Sequence, residues 1–190
     1  MDSLDTTCRL ILEFIMTEPL DFCRVKKIDE KGFGFLKSLY YPGDVFFHFS
    51  QIKKEEFVKK LNDMKRGDFF LFYTSKPRED GKRKVLNVWY AIDDVPREYF
   101  VAFAKRIVDE FVSGYMNLYD LYYVFAELRR IKHVDKELVS QILLSPRILK
   151  LPATILPYIN SDEKAELKIN LNYESYLEVE TKPFWYNDFL

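Results

Sequence analysis

Short hydrophobic runs separated by glycines and polar turns fill the chain from Asp21 to Ala91. Runs of this length that are rich in Phe, Val and Tyr are typical of β-strands. The five predicted strands are FCRVKKI, GFGFLKS, VFFHFSQI, DFFLFYTS and KVLNVWYAI. Between the third and fourth runs, KKEEFVKKLNDMKRG has room for a helical turn, but we interpret it mainly as a long linker. Five strands with one long connection predict a small β-barrel over residues 21–92.

The hydrophobic period changes after Ala91. Apolar residues then recur every three or four positions, which predicts amphipathic helices over residues 96–112 and 118–131. The segment DKELVSQILL repeats this period, and Asp135 at its start is a suitable N-cap. The second half of the chain, residues 96–190, is therefore predicted to be a mainly helical domain.

The two ends of the chain carry further patterns. TTCRLILEFIM, within residues 1–20, predicts an amphipathic helix that packs on the body of the protein. Near the C-terminus, Leu167, Ile169 and Leu171 alternate with polar residues in ELKINLNYESYLEVE, which predicts a β-hairpin. The predicted fold class is α+β: a five-stranded barrel followed by a mainly α-helical C-terminal domain with this candidate hairpin and an acidic, aromatic tail.

Composition narrows the class of protein. Apolar residues make up 48% and aromatic residues 17% of the 190 residues, so the chain has enough apolar surface to fold. No uncharged apolar stretch approaches the length of a membrane span, and the acidic start does not resemble a signal peptide. Cys8 and Cys23 are the only cysteines, which favours a reducing compartment such as the cytoplasm. Residues 21–95 carry sixteen basic and twelve acidic side chains, a modest basic excess that favours an anionic partner.

Two aromatic clusters carry the candidate chemistry: KGFGFL at residues 31–36 and VFFHFS at residues 45–50. Strand alternation places Phe33 and Phe35 on one face, and likewise Phe46 and His48. Aromatic strand residues are most often core residues. A barrel core, however, takes only one face of each strand, so the other face of each cluster is expected to be exposed. Exposed rings beside Lys and Arg form a platform on which unpaired bases stack, for about 1–3 kcal/mol per base.

The two clusters resemble the first and second ribonucleoprotein motifs of the cold-shock domain family, in the family's order and spacing. The resemblance covers residues 21–92, where Gly67 corresponds to a glycine before the fourth strand and residues 86–88 to the end of the fifth. It implies an oligonucleotide-binding barrel that holds single-stranded DNA or RNA. The binding surface implied by the resemblance consists of Lys26, Lys31, Phe33, Phe35, Phe46, His48, Phe49 and Phe57.

One position departs from the family pattern. The family usually has a stacking Trp in its first strand, and this chain has Lys27 there. The change removes one stacked base and adds a cation, so Lys27 is included among the predicted nucleic-acid contacts. The loop SKPREDGKRKV is also more basic than the family's usual loop. Both differences favour contacts to the sugar-phosphate backbone over base preference.

The residues predict no catalysis. His48 and His133 are the only histidines, and no Gly-rich phosphate loop, nucleophile elbow or HExxH pattern occurs. No metal or cofactor is predicted, and the protein is not expected to be an enzyme. The predicted function is single-stranded nucleic-acid binding, with RNA favoured over DNA, as an RNA chaperone or a regulator of transcription or translation. The alternative is a protein-interaction adaptor that uses the barrel and the helical domain, without a membrane partner.

The helical domain leaves two interpretations open. Three helices followed by a hairpin match the order of a winged helix, with Lys132, His133 and Lys136 near the third helix as a second nucleic-acid site. Low net charge and crowded tyrosines favour a packing or protein-binding module instead. The tail, over residues 173–190, either docks on its own domain or competes with nucleic acid for the barrel, and docking is favoured.

Overall fold

The computed structural model describes residues 18–25, 28–52, 54–63, 70–145 and 159–190. The predicted N-terminal helix and the predicted contacts Lys26 and Lys27 lie outside the described residues, as does Gly67. The chain forms two compact units that divide between Ala91 and Ile92. The first contains the β-strands and the second is helical, which confirms the α+β class.

The first unit is a curled, six-stranded sheet that forms a half-barrel. Its strands are β1 (Asp21–Arg24), β2 (Ile28–Asp29), β3 (Phe33–Lys37), β4 (Asp44–His48), β5 (Phe70–Pro77) and β6 (Arg83–Trp89). Their order is β1-β5-β6-β4-β3-β2, and every neighbouring pair is antiparallel except β4 with β6. The single first strand predicted from the sequence is thus two strands. Because β1 pairs with β5 and β2 with β3, consecutive stretches of chain serve opposite ends of the sheet, and the sheet must curl.

The interior of the curl is filled by one face of each long strand. This core contains the buried side chains of Cys23, Val25, Leu36, Val45, Phe47, Phe57, Leu61, Leu71, Tyr73 and Val85. Helix α1 (Glu55–Asn62) contributes Phe57 and Leu61, which are four residues apart and therefore share one helical face. The interpretation of this segment as mainly a linker is wrong. Its helix is stabilised by that buried pair and by acidic residues in the first turn and lysines in the last.

Asp21 is a buried carboxylate that holds the loop after β3. Its Oδ1 atom accepts hydrogen bonds from the backbone N–H groups of Phe22 at 2.8 Å and Leu39 at 3.0 Å, and Ser38 Oγ donates to Oδ2. Burial raises the pKa of Asp21 to about 6, although these hydrogen bonds favour the ionised form. The barrel unit therefore contains a carboxyl group that titrates near neutral pH.

The second unit contains four described helices: α2 (Phe100–Ser113), α3 (Leu118–Arg130), α4 (Lys136–Leu143) and α5 (Ser161–Asn170). The first three match the predicted helices to within a few residues, with a 3-10 turn at Arg97–Tyr99 before α2. Asp135 is the N-cap of α4 as predicted, since its side chain accepts from the Leu138 N–H at 3.0 Å. Periodicity and capping chemistry together determine these helices.

The predicted C-terminal hairpin is wrong, because that segment forms the end of α5 and the 3-10 helix Tyr173–Tyr176. Asn160 and Glu163 make a reciprocal capping box that starts the helix. Leu167 and Leu171 are buried at 1% and 2% exposure, whereas Ile169 between them is 79% exposed. The apolar spacing that matters is thus four residues, a helical spacing, and not the two-residue alternation of a strand.

The absence of the hairpin also removes the wing of the winged-helix interpretation. The described residues of the second unit contain no strand. Lys136 pairs with Glu166, and the His133 ring packs on Phe100 with centroids 4.6 Å apart. Two of the three residues proposed as a second nucleic-acid site are therefore engaged within the helical unit.

The aromatic tail folds onto its own unit. Trp185 and Phe189 are each 2% exposed, and the rings of Tyr173 and Tyr186 stack at 4.3 Å. Lys182 Nζ donates to the carbonyl oxygens of Tyr176 at 2.6 Å and Leu177 at 3.1 Å, at the end of the 3-10 helix Tyr173–Tyr176. These four rings are therefore core residues of the helical unit, which supports the docking interpretation of the tail.

Candidate nucleic-acid interface

Three rings form an aromatic cluster on the outward face of β3 and β4. This cluster, the aromatic triad, consists of Phe33, Phe35 and Phe46. Their ring centroids are 6.1 Å apart for Phe33 and Phe35, and 5.8 Å apart for each of these rings and Phe46. Phe35 is 50% exposed, and the other two rings are half-buried. The triad is thus a continuous apolar surface open to solvent.

Strand register brings the two sequence motifs together. Phe33 lies opposite His48, and Phe35 opposite Phe46, in the antiparallel β3–β4 pair. The intervening residues Leu36, Val45 and Phe47 point into the core. Because side chains alternate along a strand, a buried set on one face commits the other set to the surface. The local sequence therefore both builds the core and displays the triad.

His48 borders the triad and caps a short 3-10 turn. Its Nδ1 accepts a hydrogen bond from the Ser50 N–H at 3.0 Å, while its own backbone N–H donates to Gln51 Oε1 at 2.9 Å. Since Nδ1 is an acceptor, the neutral ring carries its proton on Nε2. His48 therefore offers one N–H donor at its remote ring edge, which suits a base or phosphate oxygen.

Two predicted contacts lie away from the exposed triad. Phe49 is half-buried: its ring stacks on Phe47 at 6.1 Å and lies against the backbone of Gly32. Phe57 is 6% exposed and belongs to the core, where its ring packs on Tyr90 at 5.5 Å. The structure thus places Phe57 in the core and not on the outward face. Its spacing from Leu61 in a helical period could have shown this from the sequence.

Lys31 occupies the turn between β2 and β3. Its side chain is exposed, and its backbone N–H donates to Asp29 Oδ1 at 2.9 Å. Gly32 follows with φ of 77°, a conformation that favours glycine, and donates to the Asp29 carbonyl at 2.9 Å. The turn leads directly into Phe33, so a cation stands at one end of the triad.

Strand β6 adds residues that the sequence motifs did not include. Lys84 lies opposite Phe46 in the parallel β4–β6 pair, and Lys76 of β5 lies opposite Lys84. Leu86, two residues beyond Lys84, is 45% exposed and lies at the register shift between β5 and β6. The basic loop was visible in the sequence, but the register that aligns it with Phe46 was not, because parallel pairing of distant strands leaves no local pattern.

Two other cations of this unit, Arg83 and Lys37, are paired within the protein. Arg83 Nη2 lies 2.5 Å from Glu18 Oε2, and the guanidinium lies 3.7 Å from the ring centroid of Tyr41. At the edge of the β3–β4 face, Lys37 lies 2.6 Å from Asp44, whose hydrogen bond and charge raise the pKa of the lysine. These contacts hold Arg83 and Lys37 to the protein, in contrast to Lys76 and Lys84.

Two further properties concern the described part of the chain alone. Within the described residues, no three side chains of His, Cys, Asp or Glu lie together in a way that could hold a metal ion. The helices of this part are all too short or too polar to cross a bilayer. The chemistry displayed on the outward face is thus that of rings, one imidazole N–H and ammonium groups.

Comparison with known proteins agrees with this geometry. Residues 23–91 match the model of the 'Cold-shock' DNA-binding domain, and that range contains all six strands except the first two residues of β1. No curated protein matches the chain. The match ends at the boundary with the helical unit, to which it assigns no family. The sheet unit, over residues 23–91, is accordingly identified as a cold-shock domain.

Proposed function

We propose that this chain binds single-stranded nucleic acid through the outward face of β3, β4 and β6, without catalysing a reaction. One observation carries the proposal: the aromatic triad is a continuous, solvent-open surface made of Phe33, Phe35 and Phe46, with their centroids 5.8 to 6.1 Å apart. The cold-shock domain match supports nucleic acid as the ligand. Exposed apolar surface of this kind on a folded unit marks a binding site.

The spacing of the triad favours an unpaired strand. Bases stacked in a duplex repeat about every 3.4 Å along each strand and have both faces covered. Rings separated by 5.8 Å can each receive a base only when the bases are spread apart and unpaired. Single-stranded segments meet that requirement at the lowest cost. The protein would consequently hold strands open, as an RNA chaperone or a regulator of transcription or translation does.

We further propose RNA as the ligand, in the cytoplasm. Sequence-reading proteins that recognise RNA act mostly on unpaired segments whose bases stack on aromatic side chains. Cys23 is a buried cysteine, and a chain with two cysteines suits a reducing compartment. Lys27 stands where the family usually has a stacking Trp, so a contribution from backbone phosphates remains our prediction for that position.

Binding assays with matched ligands test the proposal. Fluorescence anisotropy of the full chain is measured with labelled RNA, DNA of the same sequence, and the corresponding duplexes. We expect tight binding to the single strands, weaker binding to the duplexes, and an affinity that falls as salt rises. The double variant Phe33→Ala, Phe46→Ala should lose most of the single-strand affinity while retaining its fold by circular dichroism. Equal affinity of parent and variant would refute the proposal.

A second candidate function is protein interaction by the helical unit. The side chains of Tyr115 and Tyr119, at the start of α3, are 100% and 79% exposed. Tyrosine is enriched in protein interfaces, and these two rings serve no core. An adaptor would use them together with the barrel. Salt separates the two functions, because a steep fall of affinity with salt is expected for nucleic acid and a shallow one for an interface of this kind.

A further inference from the structure

A row of outward side chains crosses four strands of the sheet. Lys76 lies opposite Lys84, Lys84 opposite Phe46, and Phe46 opposite Phe35, in the order β5, β6, β4, β3. Neighbouring strands are about 4.8 Å apart, so the row continues the triad by two strand spacings. Of the chain neighbours of these residues, Pro77 is exposed and Arg83 is half-buried, and the others are buried: Ser75, Val85, Val45, Phe47, Leu36 and Gly34. Residues that lie directly opposite each other on adjacent strands point to the same face of the sheet. The two lysines therefore share the face of the triad.

The lysine pair is unfavourable in the free protein. Like charges directly opposite each other on adjacent strands repel. Neither Lys76 nor Lys84 forms an ion pair with any residue that the structure describes, although Arg78 of the following hairpin loop lies 3.4 Å from Asp80. An anion placed between the two ammonium groups would convert the repulsion into two attractions. The aromatic triad does not explain why these two lysines lie opposite each other.

We propose that Lys76 and Lys84 clamp one backbone phosphate of the nucleic acid whose bases stack on the triad. The inference rests on the proposed function and adds the path of the nucleic acid. The nucleic-acid chain runs across the sheet from β3 towards β5, perpendicular to the β-strands. Each ammonium group donates to a phosphate oxygen in a charge-assisted hydrogen bond. The phosphate lies on the β5 side of the base stacked on Phe46, so its position along the strand is fixed relative to the stacked bases.

Neutralising the pair tests the clamp. In the full chain, Lys76→Gln with Lys84→Gln is compared with Lys59→Gln and Lys60→Gln, which removes the same charge from the exposed side of α1. If the clamp neutralises one phosphate, the slope of log affinity against log salt for single-stranded oligonucleotide becomes shallower by about 0.7. The affinity advantage of the parent should then shrink about 2.6-fold between 50 and 200 mM salt. The α1 control should retain the parent slope more closely. Equal slopes for both double variants would overturn the clamp.

A neutral-phosphate scan locates the contact. Methylphosphonate is introduced at one position at a time in a short oligonucleotide, whose register is fixed by an abasic scan. We expect methylphosphonate at one position, next to the stacked bases, to weaken binding to the parent protein. The same substitution should not weaken binding to the Lys76→Gln, Lys84→Gln variant. A uniform effect at every position would contradict a localised clamp.

Failure of the clamp and failure of the proposed function give different results. If the clamp is wrong and the function right, Phe33→Ala, Phe46→Ala still loses most of the single-strand affinity while the lysine variant behaves as the α1 control does. If the function is wrong, the aromatic variant binds as the parent does.

The lysine variant should also melt at the same temperature as the free parent or higher, because a repulsion has been removed. A lower melting temperature would show that the lysines stabilise the fold.

Discussion

Phe35 and Phe46 face each other across β3 and β4, with ring centroids 5.8 Å apart and ring planes inclined at 66°. An edge-to-face pair of this kind is itself favourable, and it leaves ring surface uncovered. Half of the Phe35 surface remains exposed. The pair therefore holds both rings in place and leaves aromatic surface open without a ligand, so a stacking base has little ordering cost to overcome.

Replacing Phe35 with alanine should weaken single-strand binding by about 1–3 kcal/mol, because one stacked base loses its ring. The free energy of unfolding should change little, since the ring is half exposed. Anisotropy titrations and thermal melts measure the two quantities. Tyr119→Ala is the matched control, because it removes an aromatic ring that is 79% exposed on the helical unit. Equal losses of affinity in both variants would argue against base stacking on the triad.

Phe57 should behave in the opposite way. Its side chain is 6% exposed and packs among the core residues of the sheet unit, so Phe57→Ala should lower the free energy of unfolding by about 3–5 kcal/mol. The fraction that remains folded should bind nucleic acid with affinity close to that of the parent. Urea unfolding and stoichiometric binding at low temperature distinguish these effects. A stable Phe57→Ala protein with poor affinity would instead make Phe57 a ligand contact.

Asp21 predicts a pH dependence of stability. The pKa of this buried carboxyl is about 6 in the folded protein, above its usual 3.8, so the folded state binds the proton more tightly than the unfolded state. Its contribution to stability is complete below about pH 4 and is lost as the pH rises through about 6. The change across this window is about 3 kcal/mol.

Asp21→Asn isolates that contribution from the other carboxyl groups. The amide keeps an oxygen that can accept from the Phe22 and Leu39 N–H groups, and its NH₂ group can donate to Ser38. The difference in unfolding free energy between parent and variant should therefore shift in favour of the variant between pH 4 and pH 7. A difference that is constant with pH would mean that Asp21 titrates normally.

Deleting residues 182–190 should destabilise the helical unit and leave the affinity for oligonucleotides unchanged. The deletion removes Trp185 and Phe189, each 2% exposed, along with the ring of Tyr186 that stacks on Tyr173. Loss of a single large buried ring already costs about 3–5 kcal/mol. Trp185→Ala is a milder variant for the case in which the truncated unit does not fold. Higher affinity with unchanged stability would instead support competition between the tail and nucleic acid.

Periodicity predicted the helices well because their apolar faces are long. In α2, Phe103, Ile107 and Phe111 repeat at four-residue spacing over three turns, and no strand pattern fits them. The end of the chain is more ambiguous. Leu167, Ile169 and Leu171 fit the two-residue period of a strand. Leu167 and Leu171 fit the four-residue spacing of a helix equally well, and the capping box at Asn160 decides in favour of the helix.

The candidate site was predictable only in part, because alternation within a strand can be read from the sequence and the pairing of distant strands cannot. Alternation within β3 and β4 is local, so the exposed positions of Phe33, Phe35 and Phe46 follow from the sequence. The place of Lys84 depends on the pairing of β6 with β4, strands that are far apart in the chain. Burial of Phe57 follows from its four-residue spacing from Leu61 in α1, a helical period that the linker interpretation of this charged segment overlooked.

Photocrosslinking tests the central claim most directly. A short RNA containing 4-thiouridine is bound to the full chain and irradiated, and the attached peptides are identified by mass spectrometry. Binding by the outward face of the sheet predicts crosslinks in the peptides that carry Phe33, Phe35 and Phe46, and their loss in competition with unlabelled single strand. Crosslinks confined to the helical unit, over residues 92–190, would contradict it.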